Sequence, residues 1–358
     1  MKILCVIDSL GSGGAQRQMI ELASSLNHEH EISILIYHDI IFYQDVIFKH
    51  KIKVIKEVYR NPLVRILKIR ERIRRENPDV VLSFLDTSNL IAILSGLPTR
   101  KWKLIVADRN AKPQINKSLM LIALKYLYGL ADYVVANSKA NIGMVRKVNP
   151  FLRERKCKVI YNGYNLSYWI PEKTKETLNP KYRLLIAARH KAHKNLNGLI
   201  SAVSLLEFSD LQKLEIHWYG RQQNTSFEKA KENIRKSNLE NIFHFFESTE
   251  SIKEKMLEAD AIGLFSFYEG LSNSLCEGMA LGKPVISTDV SDAKYFVTKE
   301  NGFICEAHDP KSIANAIKEF LNTDRAILKR MGLKSREIAE LHLNKEIMVK
   351  EYLNLFKN

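Results

Sequence analysis

Residues 260–288 constrain the fold of this 358-residue chain more than any other stretch. An apolar run leads into a small polar turn, and Gly282 with Pro284 stops a short helix before a second apolar run. This order predicts strand, loop, helix and strand, with Asn273 or Ser274 as the helix cap. Because the amides and dipole of a helix N-terminus favour an anion, we expect a phosphate to bind there.

Two carboxylates bracket this predicted anion site. Glu269 lies in the loop, and Glu277 lies about two turns into the predicted helix. Carboxylates at separate points along one extended ligand are suited to accept hydrogen bonds from hydroxyl groups. The alternative is an ordinary strand–helix unit whose two glutamates face solvent.

The residues around the two glutamates resemble the signature of the retaining glycosyltransferases of family 4. That signature reads roughly Ser-x-x-Glu-Gly and then Glu-x-Met-Ala-x-Gly-x-Pro-Val-Ile-x-Thr, and nearly every fixed position is matched between Ser266 and Thr288. The resemblance implies the GT-B architecture, an α/β fold with two doubly wound Rossmann-like domains facing across a cleft. It also implies that Glu269 contacts the transferred sugar and Glu277 the ribose of the nucleotide. The loop expected to hold the donor diphosphate comprises Gly270, Leu271, Ser272, Asn273 and Ser274.

Bulk composition limits the class of protein. A hydrophobic content of 46% and a charged content of 27% are ordinary for a globular chain. No apolar run approaches a membrane span and no signal peptide precedes the first strand, so we expect a cytoplasmic protein, with peripheral attachment to the inner face of the cell membrane as an extension. The four cysteines lack any Cys-x-x-Cys spacing, which argues against a zinc site or a disulfide framework.

The formal net charge of +15 is the unusual bulk quantity. A charge of this size favours anionic partners, which include nucleotide sugars, lipid phosphates, a membrane surface and nucleic acid. Charge alone does not choose among these partners.

The first half of the chain predicts a parallel sheet covered on both faces, because apolar strands alternate with helical patterns. The strands are expected at residues 3–7, 31–37, 51–57, 79–84, 103–107 and 133–136. Ligands of such sheets bind beyond the carboxyl ends of the strands. This rule selects Asp86, Asp108, Arg109 and Asn110 as acceptor-side candidates. Arg109 is expected to hold an acceptor phosphate or a donor hydroxyl, or else to pair with Asp108.

A glycine-rich turn follows the first strand, where a doubly wound domain commonly binds phosphate. Gly13 and Gly14 begin a segment that resembles the family's Gly-Gly-Ala-Glu-Arg, with Gln16 in place of the glutamate and Arg17 retained. In the family this loop faces the acceptor and the leaving group of the donor. The alternative is a tight turn needed only for packing. The complete dinucleotide fingerprint is missing, which disfavours a nicotinamide-dependent oxidoreductase.

Two helices of the first half have two interpretations each. Residues 62–76 carry six Arg and Lys residues beside an apolar stripe of Leu63, Ile66, Leu67 and Ile73. This pattern is typical of a helix that covers the sheet with a solvated basic face, or of one that lies on anionic lipid. Residues 115–130 are apolar on most sides, which indicates deep packing or contact with a membrane.

The length predicts two domains. Residues 1–165 are expected to form the acceptor-binding domain and residues 166–340 the nucleotide-sugar-binding domain, with a helix in residues 341–358 crossing back to the first. A polar, lysine-rich segment between Pro171 and Pro180 is the predicted linker.

In the second half, Arg189 and Lys194 follow a strand at residues 182–188 and match a family arginine and lysine directed at the donor diphosphate. Fixed cations there would stabilise charge developing on the leaving group. His190 and His193 have no acidic partner at a metal-ligand spacing, so they are interpreted as loop residues. Glu247 lies where family members contact the nucleobase.

These residues predict a retaining, metal-independent hexosyltransferase. It would move a sugar from a nucleoside diphosphate to a lipid-linked or polysaccharide acceptor in cell-surface glycan synthesis, with no cofactor and no specific nucleic acid. A GT-B sugar-nucleotide epimerase is the enzymatic alternative. From a different class, a basic nonenzymatic RNA- or membrane-binding protein would suit the charge, although the chain lacks an aromatic–basic platform of known pattern.

Overall fold

The structure, a computed structural model, describes residues 1–109, 118–172, 180–221 and 225–357, and of residues 225 and 226 only the backbone. It divides into two compact units. The first comprises Met1–Gly163 with Lys345–Asn358, and the second comprises Tyr164–Asn344. Tyr164 and Trp169 are buried in the second unit. The chain therefore passes between units at Gly163, before the linker predicted between Pro171 and Pro180, of which residues 173–179 lie outside the described residues.

Seven parallel strands form the sheet described in the first unit, in the order β3-β2-β1-β4-β5-β6-β7. They are β1 Lys2–Ile7, β2 Glu31–Ile36, β3 Lys53–Lys56, β4 Val80–Phe84, β5 Lys103–Asp108, β6 Tyr133–Ala136 and β7 Cys157–Val159. The predicted strands lie within one or two residues of these bounds, apart from β7, which was not predicted. A strand of three partly exposed residues has too little apolar periodicity to be recognised.

The first-unit helices pack on both faces of this sheet, as the alternating pattern predicts. They are α1 Gly14–Leu26, α2 Gln44–Lys49, α3 Pro62–Glu76, α4 Asp86–Ser95, α5 Leu119–Leu127, α6 Lys139–Val148 and α15 Lys345–Lys357. Buried residues of α1 and α15 share one core with β1, β2 and β4. Buried residues of α3, α4, α5 and α6 share the other core. Helix α15, although distant along the chain, thus completes the first unit.

The second unit repeats the arrangement with six parallel strands in the order β10-β9-β8-β11-β12-β13. These strands are β8 Tyr182–Ala187, β9 Leu214–Tyr219, β10 Phe243–Phe246, β11 Ala261–Leu264, β12 Val285–Thr288 and β13 Gly302–Cys305. Its helices are α7 Leu196–Val203, α8 Phe208–Leu211, α9 Thr225–Lys236, α10 Ile252–Leu257, α11 Asn273–Ala280, α12 Ala293–Phe296, α13 Pro310–Leu321 and α14 Arg325–His342. Two parallel α/β sheets confirm the predicted fold class.

Helix α3 corrects one expectation about its faces. Its buried residues are Ile69 and Ile73, whereas Leu63 and Leu67 of the predicted apolar stripe are exposed. Arg70 and Arg74 donate hydrogen bonds to carbonyl oxygens of residues 95–99, and Arg72 pairs with the buried Glu57. These contacts favour the interpretation of α3 as a covering helix, because its cations hold neighbouring loops of the same unit.

No helix in the described residues is both long enough and apolar enough to cross a membrane. The apolar segment predicted at residues 115–130 contributes α5, and residues 110–117 lie outside the described residues. Helix α5 buries Leu124 but exposes Leu119 and Met120. The expectation of deep packing is therefore correct for one face of the helix only.

The close packing of α11 on β11 generates a stability prediction. A Cβ atom added at Gly278 would lie 2.5 Å from Cγ1 and 2.9 Å from Cβ of Ile262. We expect Gly278→Ala to lower the free energy of unfolding by about 1–3 kcal/mol, because an overpacked core must shift. The midpoint of urea-induced unfolding measures this change.

Gly143 provides the matched control, since it lies within helix α6 and a Cβ there meets nothing within 4 Å. Alanine at an open helical position lowers the backbone entropy of the unfolded chain and should stabilise by roughly 0.5–1 kcal/mol. Equal destabilisation by both substitutions would contradict the close approach of α11 to β11.

Candidate functional site

Helix α11 is the centre of the predicted site, and its start differs from expectation. Ser272, rather than Asn273 or Ser274, occupies the N-cap position, and its side chain caps none of the helix amides. Asn273 is the first residue of the helix rather than its cap, and its Oδ1 atom accepts a hydrogen bond from the Tyr164 hydroxyl at 2.6 Å. Glu277 lies about one turn, rather than two, into the helix.

Missing side-chain caps distinguish the predicted site helices. Six helices of eight or more residues, α3, α5, α6, α7, α13 and α14, are capped by a side chain of their own N-cap residue. Helices α1, α4 and α11 are not, and they begin at or beside Gly14, Asp86 and Asn273, which the sequence predicts as site residues. The N-cap side chains of these three helices therefore do not compete with a ligand for the first-turn amides.

Lys194 and Glu269 form an ion pair, although they come from different loops of the second unit. The side chains are only 18% and 14% exposed. Ser266 also donates to Glu269, at 2.6 Å, and both contacts use the Oε1 atom of the carboxylate. Sequence reasoning placed Lys194 on the diphosphate and Glu269 on the sugar, but it did not predict that they would contact each other.

Local contacts hold the two loops in register. The backbone N–H of Phe267 donates to the carbonyl of His193 at 2.8 Å, and the His193 ring stacks on Tyr268 with centroids 5.0 Å apart. Asn195, in a left-handed conformation with φ of 59°, caps α7 and donates to the carbonyl of Ala307 at 2.8 Å. Because burial and the neighbouring Lys194 lower the pKa of His193, this ring is expected to be neutral at pH 7.

Helix α11 is held at both ends by groups that the sequence did not reveal. Tyr164, buried in the second unit, fixes its first residue through Asn273. Arg336 of α14 donates to the carbonyl of Ala280 at 2.6 Å, where the last turn leaves carbonyls unsatisfied. Both partners lie far from the motif in sequence, so no local pattern could indicate them.

Glu269 and Glu277 are not solvent-facing. Glu277 is only 5% exposed, and the Glu269 side chain is 14% exposed. The alternative of an ordinary strand–helix unit with two exposed glutamates is therefore wrong. A buried carboxylate is costly unless polar contacts offset its desolvation, so burial of both residues is consistent with a specialised site.

Arg189 and Glu247 follow the carboxyl ends of β8 and β10, and both are exposed. A cavity of about 330 Å³ is lined by residues on either side of Lys194, including Lys191, Asn195 and Phe267. None of the predicted site residues lines this cavity.

Histidines near this loop have no sign of a metal-binding role. His190 is buried among Trp218, Phe227 and Phe245, and burial lowers its pKa to about 4. In the described part of the chain, no three His, Cys, Asp or Glu side chains form a group that could hold a metal ion.

The first unit contains a buried charge network that the sequence only partly indicated. Lys125 of α5 is 1% exposed and bonds to Asp108, to Asp86 at 2.8 Å and to the Tyr128 hydroxyl at 3.1 Å. Burial alone would lower the pKa of Lys125, but Asp108, Tyr128 and Asp86 raise it above its ordinary value. A lone lysine in an apolar helix, three residues before a tyrosine, is the sequence signal that was missed.

Arg109 makes contacts that the sequence did not predict, and its expected role toward an acceptor phosphate or a donor hydroxyl stays a prediction. Its guanidinium donates to Asn162 at 2.7 Å and to the Tyr352 hydroxyl at 3.0 Å, and it lies 3.9 Å from the centre of the Phe84 ring. The expected ion pair with Asp108 does not form among the described residues. Arg109 instead fastens α15 to the first unit, since a buried guanidinium requires such partners. Asn110 lies outside the described residues.

The glycine turn before α1 has a packing requirement of its own. A Cβ atom at Gly13 would lie 2.1 Å from Oε1 of Gln16, whose Nε2 donates to Asp8 at 2.9 Å. Gln16, the residue that replaces the family glutamate, thus holds the turn. Arg17 is half-buried on the next turn of α1. The packing alternative for this turn is supported, and a ligand role for Gly13, Gly14 and Arg17 stays a prediction.

The Tyr164 contact generates a test of how α11 is positioned. Tyr164→Phe removes the hydroxyl that fixes Asn273 while keeping the ring. We expect affinity for a nucleoside diphosphate to fall about threefold to tenfold, because one hydrogen bond contributes about 0.5–1.5 kcal/mol net. Isothermal titration calorimetry with UDP, GDP and ADP measures the affinity.

Tyr182→Phe is the matched control, since its hydroxyl donates one hydrogen bond to the Thr323 carbonyl at 3.3 Å within the same unit. It should leave nucleotide affinity unchanged. An unchanged affinity in Tyr164→Phe would show that this contact does not position the helix.

Two family models match the chain, one on each half. The model described as Glycosyltransferase Family 4 matches residues 12–168, and the model described as Glycosyl transferases group 1 matches residues 170–338. Together the two models cover the segments of both units in which site residues were predicted.

Relatives and solved structures agree with these matches. A Campylobacter jejuni N-acetylgalactosamine-N,N'-diacetylbacillosaminyl-diphospho-undecaprenol 4-alpha-N-acetylgalactosaminyltransferase is 26% identical over 340 residues, which are 90% of this chain and 91% of that protein. The Amylovoran biosynthesis glycosyltransferase AmsD of Erwinia amylovora is 24% identical over 85% of this chain and 86% of its own. The crystal structure of Anabaena HepE in complex with UDP and glucose superposes with a TM-score of 0.87 at 18% identity, covering 100% of this chain and 99% of that one. The chain belongs to the group 1 glycosyltransferases of family 4, and its fold is GT-B.

Proposed function

We propose that this glycosyltransferase moves a sugar from a nucleoside diphosphate donor to a lipid-linked or polysaccharide acceptor, with retention of anomeric configuration and without a metal ion. The observation that carries the proposal is the Lys194–Glu269 ion pair beside the uncapped N-terminus of α11. A cation, a carboxylate and a helix N-terminus thus lie at the carboxyl edge of one sheet.

The donor diphosphate has three groups of partners in this proposal. Ser272, the N-cap residue of α11, makes no side-chain hydrogen bond to the helix amides. Arg189 is exposed on the loop after β8, and Lys194 lies five residues further along that loop. Leaving-group charge grows on the phosphate oxygens in the transition state, so these groups stabilise it more than the ground state. Lys194 would exchange part of its contact with Glu269 for the phosphate.

Glu269 is suited to orient the sugar. Its two described contacts, from Lys194 and Ser266, both use Oε1. Within the described part of the chain, Oε2 thus stays available to accept a hydrogen bond from a sugar hydroxyl. A carboxylate held on one oxygen presents the other in a fixed direction, which favours one orientation of the transferred ring.

The spacing of the strands matches an extended donor. Strands β8 and β10 are separated by β9, and neighbouring strands lie about 4.8 Å apart, so Glu247 follows a strand about 10 Å from that of Arg189. This separation suits a nucleobase at Glu247 with its diphosphate at Arg189. Glu277, buried in α11, would accept hydrogen bonds from the ribose hydroxyls.

In this proposal, retention and metal independence depend on which groups stabilise the charge of the leaving diphosphate. Both glutamates are assigned to the donor, and the cations with the helix amides carry the leaving diphosphate. A same-face attack assisted by that phosphate then needs neither a protein nucleophile nor a metal ion.

The acceptor class rests on the relatives. The Campylobacter jejuni relative is named for transfer onto a diphospho-undecaprenol glycan, and the Erwinia relative for amylovoran biosynthesis. We extend the shared class, a lipid-linked or polysaccharide glycan of the cell surface, to this chain. A panel of UDP-, GDP- and ADP-sugars, with release of free nucleotide as the readout, tests the proposal and identifies the donor. Conversion of the donor sugar without acceptor would indicate the epimerase alternative.

Substitutions of Glu269 and of Glu277 should have different effects on catalysis and on nucleotide binding. We expect Glu269→Gln to lower kcat at least a hundredfold with nucleotide affinity nearly unchanged, because Gln keeps the shape but weakens the contacts with Lys194 and the sugar. Glu277→Gln should instead weaken nucleotide affinity about tenfold or more, since it contacts the ribose. Steady-state kinetics and calorimetry give the two quantities.

The exposed Glu250 of the same unit is the matched control, and Glu250→Gln should alter neither quantity. Equal loss of nucleotide affinity in Glu269→Gln and Glu277→Gln would contradict the division of roles.

The stereochemical outcome can be observed directly. We expect the product to keep the anomeric configuration of the donor, and we expect EDTA to leave the rate unchanged, because no step in the proposal uses a metal ion. Proton NMR of the anomeric signal during turnover reports the configuration. An inverted product, or loss of activity in EDTA that Mg²⁺ or Mn²⁺ restores, would overturn this part of the proposal.

A further inference from the structure

The positive charge of the protein is concentrated in one unit. The first unit contains 30 Lys and Arg against 16 Asp and Glu, a formal net charge of +14, while the second contains 25 against 24, or +1. The cations proposed to bind the donor, Arg189 and Lys194, lie in the second unit. Donor binding therefore does not account for the charge of the first.

Helix α3, the most basic helix of the first unit, uses its cations internally. Arg65 donates to the Tyr59 carbonyl, Arg70 and Arg74 hold residues 95–99, and Arg72 pairs with Glu57. Side chains committed to such contacts are poorly placed to bind a further partner. A second group of exposed cations lies elsewhere in the unit.

Residues 118–158 contain this second group. This segment contains eight Lys and Arg residues against two acidic residues. Lys125 is buried, and Lys156 donates to the carbonyls of Gly129 and Ala131. The exposed cations are Lys139, Arg146, Lys147, Arg153, Arg155 and Lys158. Glu154 pairs with Arg146 at 3.3 Å, so it offsets only part of their charge.

An apolar stripe lies along α5 and the turn that follows it. Leu119 is 85% exposed and Met120 is 71% exposed, and Tyr126 and Leu130 continue the stripe at 47% and 43%. Leu119, Tyr126 and Leu130 are seven and four residues apart, which keeps them on one side of the helix and its following turn, and Met120 lies next to Leu119. This much exposed apolar surface on one helix is unusual for a protein surrounded by water alone.

The stripe and the cations belong to one surface. Helices α5 and α6 pack side by side, and the side chain of Asn149, just after α6, donates to the Lys125 carbonyl at 2.9 Å. Phe151, two residues later, is 83% exposed. We define the α5–α6 surface as Leu119, Met120, Tyr126, Leu130 and Phe151 with Arg146, Lys147, Arg153 and Arg155.

We propose that the α5–α6 surface binds the face of an anionic lipid bilayer. Leu, Met and Phe side chains enter the boundary between head groups and acyl chains, while Arg and Lys side chains contact lipid phosphates. Charge complementarity selects this occupant, because a second copy of the chain would set +14 against +14 across the contact. Nucleic acid would satisfy the cations but would leave the apolar stripe in water.

Vesicle binding by the full-length protein tests the proposal without donor or acceptor, so its failure is separate from failure of the proposed transfer. Vesicles of phosphatidylglycerol and phosphatidylcholine are compared with vesicles of phosphatidylcholine alone by cosedimentation. We expect binding to the anionic vesicles only, with a steep loss as salt is raised, because surface charges are screened. Leu119→Ser with Met120→Ser, and separately Arg146→Gln with Lys147→Gln, should each lower the partition coefficient about tenfold or more.

Matched controls come from the second unit. Phe208 and Leu341 are exposed to 75% and 67%, and Lys329 and Arg330 are an exposed adjacent pair. Phe208→Ser with Leu341→Ser, and Lys329→Gln with Arg330→Gln, should leave vesicle binding unchanged. Unchanged nucleotide affinity in every variant confirms that the chain is folded.

Several results would overturn the proposal. Equal binding to both kinds of vesicle would exclude recognition of anionic lipid, and full binding by both α5–α6 double variants would exclude this surface. Dimerisation that is lost in Leu119→Ser with Met120→Ser, detected by sedimentation, would assign the stripe to a second copy. Salt-sensitive binding to an oligonucleotide without binding to vesicles would assign the cations to nucleic acid.

Discussion

The ion pair between Lys194 and Glu269 is the interaction on which the proposed chemistry depends. An uncompensated charge in so sheltered a position would be costly, and each side chain offsets the desolvation of the other. The pair also joins the loop after β8 to the loop after β11, which the contact between Phe267 and His193 holds in register. Because both described contacts use one carboxylate oxygen, the loops fix the direction of the other. The pair thus fixes the position of the Lys194 ammonium group and the direction in which the second carboxylate oxygen of Glu269 can accept a hydrogen bond.

The backbone of α11 has to be fixed as closely as this pair, since helix amides bind an anion only where they are aimed at it. Tyr164 holds its first residue and Arg336 its last, while Gly278 allows it to lie against Ile262. At the end of the helix, Gly282 has φ of 68°, a left-handed conformation in which a side chain would be strained. The glycines of the motif are therefore required by packing and turn geometry, whatever ligand the site binds.

The strand–loop–helix order and most strand bounds could be predicted from sequence because apolar runs and turn residues are local signals. Contacts between distant residues could not. Asn273 was expected as the cap by residue type, but the helix begins one residue earlier and Tyr164 donates to its side chain. The contacts of Arg109 with Asn162 and Tyr352 likewise join residues far apart in the sequence. The burial of Lys125 could not be predicted, because it depends on two carboxylates that only the fold brings together.

The charge balance around Lys125 limits what the first unit can bind at the carboxyl edge of its sheet. One ammonium group is set against the carboxylates of Asp86 and Asp108, so these three side chains carry a net charge of −1. A hydroxyl group could donate a hydrogen bond to Asp86, whose side chain is 15% exposed, and a carboxylate suits a hydroxyl better than a phosphate. This balance favours a sugar hydroxyl over a phosphate at Asp86. The phosphates of a lipid-linked acceptor would then need cations other than Lys125, and Arg109 would have to give up contacts with Asn162 and Tyr352 to provide one.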